Sequence, residues 1–581
     1  MKALPLQQSD SLLSCLDYYA QKQPEKSAFS FLPKGQTNNN IVQVSYHELQ
    51  KRAWTFANKL IEQQLAGKTA LLVYPPGIPF IIALFGCFYA GVIAVPTNLA
   101  RNSQHYLRLR QIANDSNAAA ILAPPELQTA LQEKLLNTEE SIVLLHEPEL
   151  STIAKSVNDE INPEHVAFLQ YTSGSTGAAK GVMITHHNLI SNLQAIQSTL
   201  RVPEHLTIGG WLPQFHDMGL IGHILLTVGL GGHYIFMPPL SFIQRPERWL
   251  QLMSDYRAAL SAAPNFAYEL CLERVKLKPE LMDGFDLSSW QWACNGAEPV
   301  SAKTIAQFSQ QFAEVGFKST TFSPCYGMAE TTLMVSGFSH QSNVNVLTIN
   351  KALLANENKV VLAPTTLMDE KTSTQQLVAC GRVVNDHQVL IVNPKTKIAC
   401  DSETVGEIWV QGASVGVGYW HQPEQTAEIF AAYTQCGQGP FLRTGDLGVL
   451  RDGLLYITGR LKDLIIVRGR NLYPQDIERT LALSSKWVRN NRAAAFALTE
   501  PSEAASEQVI AVQELEKGAE QTIDTLQLKR ELVQAVNAEH DILLADLVFI
   551  RANSLPLTSS GKVQRRRCKS LYQDKALKVV A

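Results

Sequence analysis

The sequence predicts an α/β protein with mostly parallel sheets, and two observations lead to this class. Short β-rich runs at 70–74, 119–122 and 166–170 alternate with stretches that have helical periodicity. The chain also has 581 residues, which is more than one hydrophobic core usually serves. We therefore expect a parallel α/β core and at least one further domain.

The first long apolar run covers residues 78–95 and carries no charge. Its length suits a membrane span, but prolines bracket the run and Gly91 interrupts it. A buried helix followed by a buried parallel strand explains the run better. We therefore expect no transmembrane segment.

The predicted secondary-structure elements change in type after about residue 453. Residues 453–459 indicate a hairpin or a terminal strand, 463–468 begin a new β segment, and 523–536 favour a helix. This change is consistent with a domain boundary at the end of the 453–459 segment.

Composition argues against a nucleic-acid partner and against a secreted protein. Lys and Arg total 50 against 53 for Asp and Glu, so the net charge of −3 gives no general attraction to nucleic acid. The nine cysteines form no C-x-x-C pair, which is typical of reduced thiols. The amino terminus lacks a signal-peptide pattern, so we expect a cytoplasmic protein.

Residues 171–183 combine glycines, hydroxyl groups and one lysine in the way that a polyphosphate requires. Gly174 and Gly177 allow the backbone to approach an anion, and Lys180 adds a positive charge. The hydroxyl donors are Thr172, Ser173, Ser175 and Thr176. The spacing G-x-x-G-x-x-K-G differs from the Walker A pattern, and a plain flexible loop is the alternative.

Four further motifs follow this loop. They are Ser-Pro-Cys-Tyr-Gly-Met-Ala-Glu-Thr-Thr-Leu at 323–333, Arg-Thr-Gly-Asp-Leu-Gly at 443–448, Gly-Arg-Leu-Lys-Asp at 459–463 and Leu-Pro-Leu-Thr-Ser-Ser-Gly-Lys at 555–562. Their order resembles the adenylate-forming superfamily of acyl-CoA synthetases, luciferases and peptide-synthetase adenylation domains. Residues 212–220 and 472–478 look most like the fatty acyl-AMP ligases.

The resemblance implies the domain organisation. Residues 1–461 would form a large N-terminal domain of mostly parallel sheets flanked by helices, with a β-barrel-like subdomain. Residues 462–581 would form a small, mobile α+β domain that turns about a hinge at Lys462. An insertion at about 343–376 resembles the one by which fatty acyl-AMP ligases restrain that domain; a passive surface elaboration is the alternative.

The resemblance also implies the reaction. A fatty acid and ATP, with Mg²⁺, would give acyl-adenylate and pyrophosphate. The acyl group would then pass to the phosphopantetheine thiol of an acyl carrier protein or of a polyketide or peptide synthase carrier domain. The alternatives are a long- or medium-chain fatty acyl-CoA synthetase and a catalytically inactive nucleotide-binding protein. Chain length, carrier and oligomeric state stay open.

Carried over residue by residue, the resemblance assigns nucleotide contacts. The 172–180 loop would hold the β- and γ-phosphates, Asp446 the ribose hydroxyls, and Arg460 a ribose or phosphate oxygen. The adenine pocket would be lined by Asn295, Gly296, Ala297, Tyr326, Gly327 and Met328.

Three residues would act in catalysis. Lys562 would reach the α-phosphate, Glu330 would hold Mg²⁺, and His216 would close the acyl site. Each has a structural alternative: a surface lysine, a helix-capping carboxylate and a structural histidine. Asp446 has one too, as a turn aspartate.

Two positions depart from the family pattern, and two groups of apolar residues bear on the acyl site and on the insertion. Ala179 stands where the phosphate loop commonly has proline, and Lys462 stands where acyl-CoA synthetases often carry aspartate. Ile221, Ile224, Leu225 and Phe236 suit either an acyl tunnel or the core. In the insertion, Val360, Val361 and Leu362 would supply an apolar patch for the C-terminal domain.

Overall fold

The structure is a computed structural model that describes residues 5–37, 40–100, 102–135, 142–149, 162–172, 180–364, 374–467, 470–498, 508–558 and 561–580. Most of the predicted phosphate loop lies outside these ranges, namely Ser173, Gly174, Ser175, Thr176, Gly177 and Ala179. Of Thr172 the backbone alone is described.

Two mainly parallel sheets form the core of the N-terminal region, as the sequence predicts. In the first, seven strands run from one edge to the other in the order Phe322–Pro324, Trp292–Asn295, Leu260–Ala263, Thr207–Gly210, His233–Phe236, Ser27–Phe31 and Val42–Ser45. Only the edge strand Val42–Ser45 pairs antiparallel among these.

The second sheet carries the strands on both sides of the predicted phosphate loop. Its order is Gly418–Tyr419, Lys180–Thr185, Val166–Thr172, Ile93–Pro96, Thr69–Leu72, Ala120–Leu122 and Val143–Leu145. Lys180–Thr185 runs antiparallel to Val166–Thr172, and the pairing of Thr172 with Lys180 brings the two ends of the loop together.

Helices flank both sheets. The longer ones are Leu12–Lys22, Tyr46–Glu62, Ile78–Ala90, Ser103–Asp115, Pro125–Lys134, His186–Leu200, Glu247–Asp255, Asn265–Leu277 and Ala302–Gln311. The shorter ones are Pro5–Gln8, Asp217–Gly219, the π-helix Leu220–Leu225, Leu226–Gly229, Pro239–Gln244, Lys351–Glu357, Pro423–Phe430 and the 3₁₀ turns Pro279–Gly284, Ala313–Val315, Ser319–Thr321 and Ala329–Thr331.

The uncharged run is a buried helix followed by a strand, as predicted. Gly91 ends the Ile78–Ala90 helix in the left-handed conformation at φ 66°, and Ile93–Pro96 follows within the second sheet. Across the described ranges, no helix is both long and apolar enough to cross a membrane.

An antiparallel sheet of eight strands corresponds to the expected barrel-like subdomain. Its order is Tyr326–Gly327, Met334–Gly337, Thr374–Val383, Leu454–Arg460, Leu442–Arg451, Gly406–Gly412 and His387–Val392, with Val346–Asn350 also paired to Thr374–Val383. The predicted insertion therefore contributes an added strand to this sheet and the Lys351–Glu357 helix.

The C-terminal region has an α+β fold. Its strands are the hairpin Ile465–Val467 and Arg470–Leu472 and the sheet Val488–Leu498, Gln508–Leu515 and Leu544–Ile550; its helices are Pro474–Ser484, Thr525–His540 and Arg565–Gln573, with a 3₁₀ turn at Ala519–Gln521. Buried residues from Ile465 to Phe549 form a separate core. This core supports the predicted boundary at Lys462, which stays a prediction.

Candidate active site

One cleft brings most of the predicted site residues together from both regions. Those that border it are Lys180, His216, Ala297, Tyr326, Gly327, Met328, Glu330, Asp446, Arg460, Lys462 and Lys562. Asn295 is fully buried at the end of its strand, where its carbonyl accepts from the Cys325 N–H at 2.9 Å. It therefore supports the segment that begins at Tyr326.

Asp446 is held by two donors at the wall of the cleft. Its strand pairs it directly with Arg460, whose Nε donates to Oδ1 at 2.7 Å, and the Tyr326 hydroxyl donates to Oδ2 at 2.8 Å. The Asp446 charge raises the pKa of Arg460, so the guanidinium stays protonated. Each carboxylate oxygen keeps further acceptor capacity for a ligand.

Glu330 and Lys180 meet at Tyr419. The Tyr419 hydroxyl donates to Oε1 of Glu330 at 3.0 Å, and Lys180 Nζ lies 4.9 Å from the centre of the Tyr419 ring. Burial raises the pKa of Glu330, while burial and the charge of Lys462 lower the pKa of Lys180. A carboxylate and an ammonium group thus both contact Tyr419 at the wall of the cleft.

Several cations border the cleft from both sides. Arg108 lies on the N-terminal side and Arg567 on the C-terminal side, and burial together with Arg567 lowers the pKa of Arg108. Lys180 and Lys462 form a second like-charged pair across the same boundary. A polyphosphate placed between them would offset this repulsion.

His216 is fixed next to a buried carboxylate. Its Nδ1 lies 2.7 Å from Oδ1 of Asp217, and the Gln170 amide holds the preceding carbonyl of Phe215 at 2.9 Å. Burial alone would raise the pKa of Asp217, but His216 and then Lys562 outweigh it and lower this pKa to about 2. Asp217 is therefore ionised and attracts a cation from the C-terminal region.

A tight turn presents Lys562 to the cleft. The Lys562 N–H donates to Oγ1 of Thr558 at 3.0 Å, and the Thr558 N–H donates to the Lys562 carbonyl at 2.7 Å. Gly561 adopts φ 89°, and a Cβ there would come within 3.0 Å of the Phe266 ring. Burial lowers the pKa of Lys562, whereas Asp217 and Glu298 raise it, which places the ammonium between acyl-side and nucleotide-side groups.

The insertion contacts the C-terminal region through polar groups. Lys351 Nζ lies 2.5 Å from Oε1 of Glu539, and Gln375 Nε2 donates to Asp476 at 3.2 Å. Asn471 donates to the Asn358 side chain at 2.8 Å.

The predicted apolar patch contributes through Val360, which is fully buried in a core that the antiparallel sheet shares with Tyr473 of the C-terminal region. Leu362, by contrast, is 47% exposed.

The apolar residues suggested for an acyl tunnel lie in the core instead. Ile221, Ile224, Leu225 and Phe236 are buried, and among the described residues they are not part of the cleft wall. Met218, Gly222 and Leu226 border the cleft from the same helical segment. The sequence could not distinguish these faces because the segment includes a π-helix, which shifts the helical period.

Glu298 predicts a measurable pH dependence of stability. Burial raises the pKa of this carboxyl from 4.5 to about 7. Between these two pH values the folded chain keeps a proton that the unfolded chain loses. Stability should therefore fall as pH rises through the window. Glu298→Gln keeps an acceptor for the Phe266 N–H, and its melting temperature should fall less steeply with pH. Parallel profiles for both proteins would contradict the raised pKa.

Sequence reasoning missed Tyr419, Asp217 and Arg108. Tyr419 contacts Glu330 across 89 positions of sequence, so no local pattern pairs them. Asp217 stands beside the predicted His216, and its role emerges only when Lys562 is seen on the opposite side of the cleft.

Comparison with known proteins identifies the family. The AMP-binding enzyme family matches residues 16–420, and the AMP domain of Disco-interacting protein 2-like proteins matches residues 462–581. JamA of Moorena producens, a medium-chain-fatty-acid–[acyl-carrier-protein] ligase, is 40% identical over 576 residues, which cover 98% of this chain and 96% of JamA. TtuA of Teredinibacter turnerae carries the same description at 32% identity, with 99% and 96% covered.

Solved structures of fatty acyl-adenylate ligases indicate the same family. A structure from studies of fatty acyl-adenylate ligases from E. coli and L. pneumophila superposes with a TM-score of 0.87 at 31% identity, covering 97% of this chain and 98% of the other. The L. pneumophila fatty acyl-adenylate ligase in complex with acyl adenylate and pyrophosphate is 36% identical, with a TM-score of 0.75 and 99% and 98% covered. The chain therefore belongs to the AMP-binding enzymes and, within them, to the fatty acyl-AMP ligases, which use ATP to activate a fatty acid as its adenylate.

Proposed function

We propose that this ligase makes a medium-chain acyl-adenylate and passes the acyl group to the thiol of an acyl carrier protein rather than to CoA. The observation that carries the proposal is the position of Lys562, which borders the cleft together with Asp217, Glu298 and Asp446. This is the arrangement that adenylation requires, because carboxylate and phosphate oxygens both gain from a nearby cation.

Each polar residue of the cleft would contact a different group of ATP or of the fatty acid. Asp446 would accept the ribose hydroxyls, with Arg460 beside it, and Lys180 with the preceding loop would hold the departing pyrophosphate. Lys562 would meet the negative charge that develops on the α-phosphate as the carboxylate attacks. His216, fixed by Asp217, would close the site on the acyl side.

The residues around Glu330 fit a magnesium ion. Glu330 is a partly buried carboxylate that borders the cleft, with one hydrogen-bond donor at Oε1, and Mg²⁺ is commonly bound by one or two carboxylates together with substrate phosphates. In the ranges that the structure describes, no group of three or more His, Cys, Asp or Glu residues forms a metal cage, which suits an ion carried largely by ATP. When bound, the ion would offset charge on the phosphates.

The choice of acceptor rests on the insertion and on the relatives. Three polar contacts link the insertion to the C-terminal region, and each would oppose the rotation that thiolation requires in this superfamily. JamA and TtuA are described as medium-chain-fatty-acid–[acyl-carrier-protein] ligases. A carrier protein that binds the surface of the enzyme could offset the restraint, whereas free CoA could not.

Product analysis tests the acceptor. Labelled decanoate and ATP should give acyl-adenylate alone, acyl carrier protein thioester when holo carrier is added, and little acyl-CoA when CoA is added. Efficient acyl-CoA formation by the intact enzyme would return the chain to the acyl-CoA synthetases.

Lys351→Glu should increase acyl-CoA formation while adenylation stays nearly unchanged. The substitution places two carboxylates together where Lys351 now meets Glu539. About 1.4 kcal/mol shifts the ratio of two orientations tenfold, so we expect a gain of about three- to tenfold. The measurement is the ratio of acyl-CoA to acyl-adenylate.

Lys359→Glu is the matched control for this prediction. Lys359 is an exposed lysine of the same insertion that lies near Asp401, so its reversal should leave the ratio unchanged. A folded Lys351→Glu enzyme with unchanged products would show that the contact does not restrain the C-terminal region.

A further inference from the structure

Part of the cleft is an apolar pocket. Four of the side chains that border it are almost fully buried: Ile196 at 3% exposure, Leu200 at 2%, Leu226 at 1% and Leu260 at 2%. They come from two helices and a strand, so the pocket extends between these elements. The inference below rests on the proposed function, because it takes the alkyl chain of the fatty acid to be the occupant.

Trp292 and His340 lie behind the wall of the pocket at Leu200, since both donate to the Leu200 carbonyl. The Leu200 carbonyl accepts from Trp292 Nε1 at 2.9 Å, and the Trp292 ring lies 4.6 Å from that of His340. Met218 follows the polar residues His216 and Asp217 at the cleft, and about 12 Å of helix separates it from Leu226 in the pocket. At about 1.2 Å per bond of extended chain, this depth suits about ten bonds.

A strained turn aims Leu333 into this pocket. Thr332 has φ 66° and ψ −64°, and the Leu333 N–H donates to the Thr331 carbonyl at 2.8 Å, which defines a γ-turn. A β-branched residue is strained at positive φ, and such strain persists only where neighbours enforce it. Here the Thr332 hydroxyl donates to the Ser414 carbonyl at 2.7 Å.

Two glycines accommodate Leu333. A Cβ at Gly327 would lie 1.7 Å from the Leu333 carbonyl, so no other residue fits there without moving the turn. A Cβ at Gly222 would lie 3.2 Å from Cδ2 of Leu333, and no other atom of the described residues comes within 4 Å of that point. The Leu333 side chain thus packs directly on Gly222 at the wall of the pocket, one helical turn beyond Met218.

We propose that Leu333, packed on Gly222, forms a constriction of the pocket that selects straight alkyl chains over chains that carry a branch at this depth. A methylene chain is the narrowest apolar occupant. A methyl branch would have to displace Leu333, whose backbone is held by the Thr332 turn and by Gly327. Overpacking of this kind should lower kcat/KM about ten- to hundredfold.

Competition between decanoate and monomethyl decanoates branched at successive carbons tests the proposal. The wild-type enzyme should reject at least one mid-chain isomer about tenfold or more relative to decanoate. Leu333→Ala should reduce that discrimination about tenfold, because it removes the side chain that forms the constriction. Gly222→Val should lower kcat/KM for decanoate relative to butanoate about tenfold, with the KM for ATP unchanged.

Gly229→Ala is the matched control, since this glycine lies on the same helical segment and faces Leu6 rather than the pocket. Its chain selectivity should equal that of the wild type. If Gly222→Val does not fold, Gly222→Ala replaces it, because its methyl group meets only a flexible leucine end. Unchanged selectivity in folded variants at both positions would overturn the constriction while leaving the proposed function intact. A wild-type enzyme that adenylates no fatty acid would overturn both.

Discussion

Lys562→Ala should lower the rate of acyl-adenylate formation by about 10²–10³ while ATP binding stays nearly intact. Lys562 borders the cleft beside Asp217 and Glu298, where charge develops during attack on the α-phosphate. Loss of one contact that strengthens in the transition state typically costs this much in rate. Single-turnover formation of acyl-adenylate measures the loss, and equilibrium binding of ATP measures the affinity.

Lys578→Ala is the control for this variant, because Lys578 is an exposed lysine of the same region outside the cleft. It should behave as the wild type. A Lys562→Ala enzyme that adenylates at a near-normal rate would remove Lys562 from catalysis and leave its position as a packing detail.

Glu330→Gln should raise the Mg²⁺ concentration needed for half-maximal activity by at least about tenfold. The amide keeps the shape of the side chain and can still accept from the Tyr419 hydroxyl, but it removes the charge that attracts the ion. Substitutions in the outer shell of a metal site commonly cost 10–100-fold in affinity, so loss of a direct ligand should cost no less. The Mg²⁺ dependence of ATP binding provides a second readout that does not require turnover.

Glu428→Gln provides the matched carboxylate, since Glu428 is exposed and also borders the cleft. Its Mg²⁺ titration should overlay that of the wild type. An unshifted titration for Glu330→Gln would reduce Glu330 to a structural partner of Tyr419.

The sequence predicted the elements whose signals are local. The buried helix at Ile78–Ala90 and the strand Leu454–Arg460 both follow from patterns within a few residues of one another. Motif order then placed Glu330 and Lys562 in one site, although more than half of the antiparallel sheet lies between them in sequence.

What the sequence could not supply are contacts between distant segments. Tyr419 beside Glu330 and Lys351 beside Glu539 depend on the assembled fold. The strained turn at Thr332 is also hidden, because threonine gives no sign that its backbone will adopt positive φ. The insertion was expected to contact the C-terminal region through apolar residues, and Val360 does share a core with Tyr473. The polar contacts of Lys351, Gln375 and Asn358 with that region had no local signal.

Exchange of labelled pyrophosphate into ATP reports reversible formation of the acyl-adenylate without any thiol. We expect exchange that requires a straight-chain fatty acid and Mg²⁺, proceeds without CoA or carrier protein, and is lost in Lys562→Ala. A folded enzyme that binds ATP but shows no exchange with any fatty acid would contradict this expectation, as would exchange that begins only when a thiol acceptor is added.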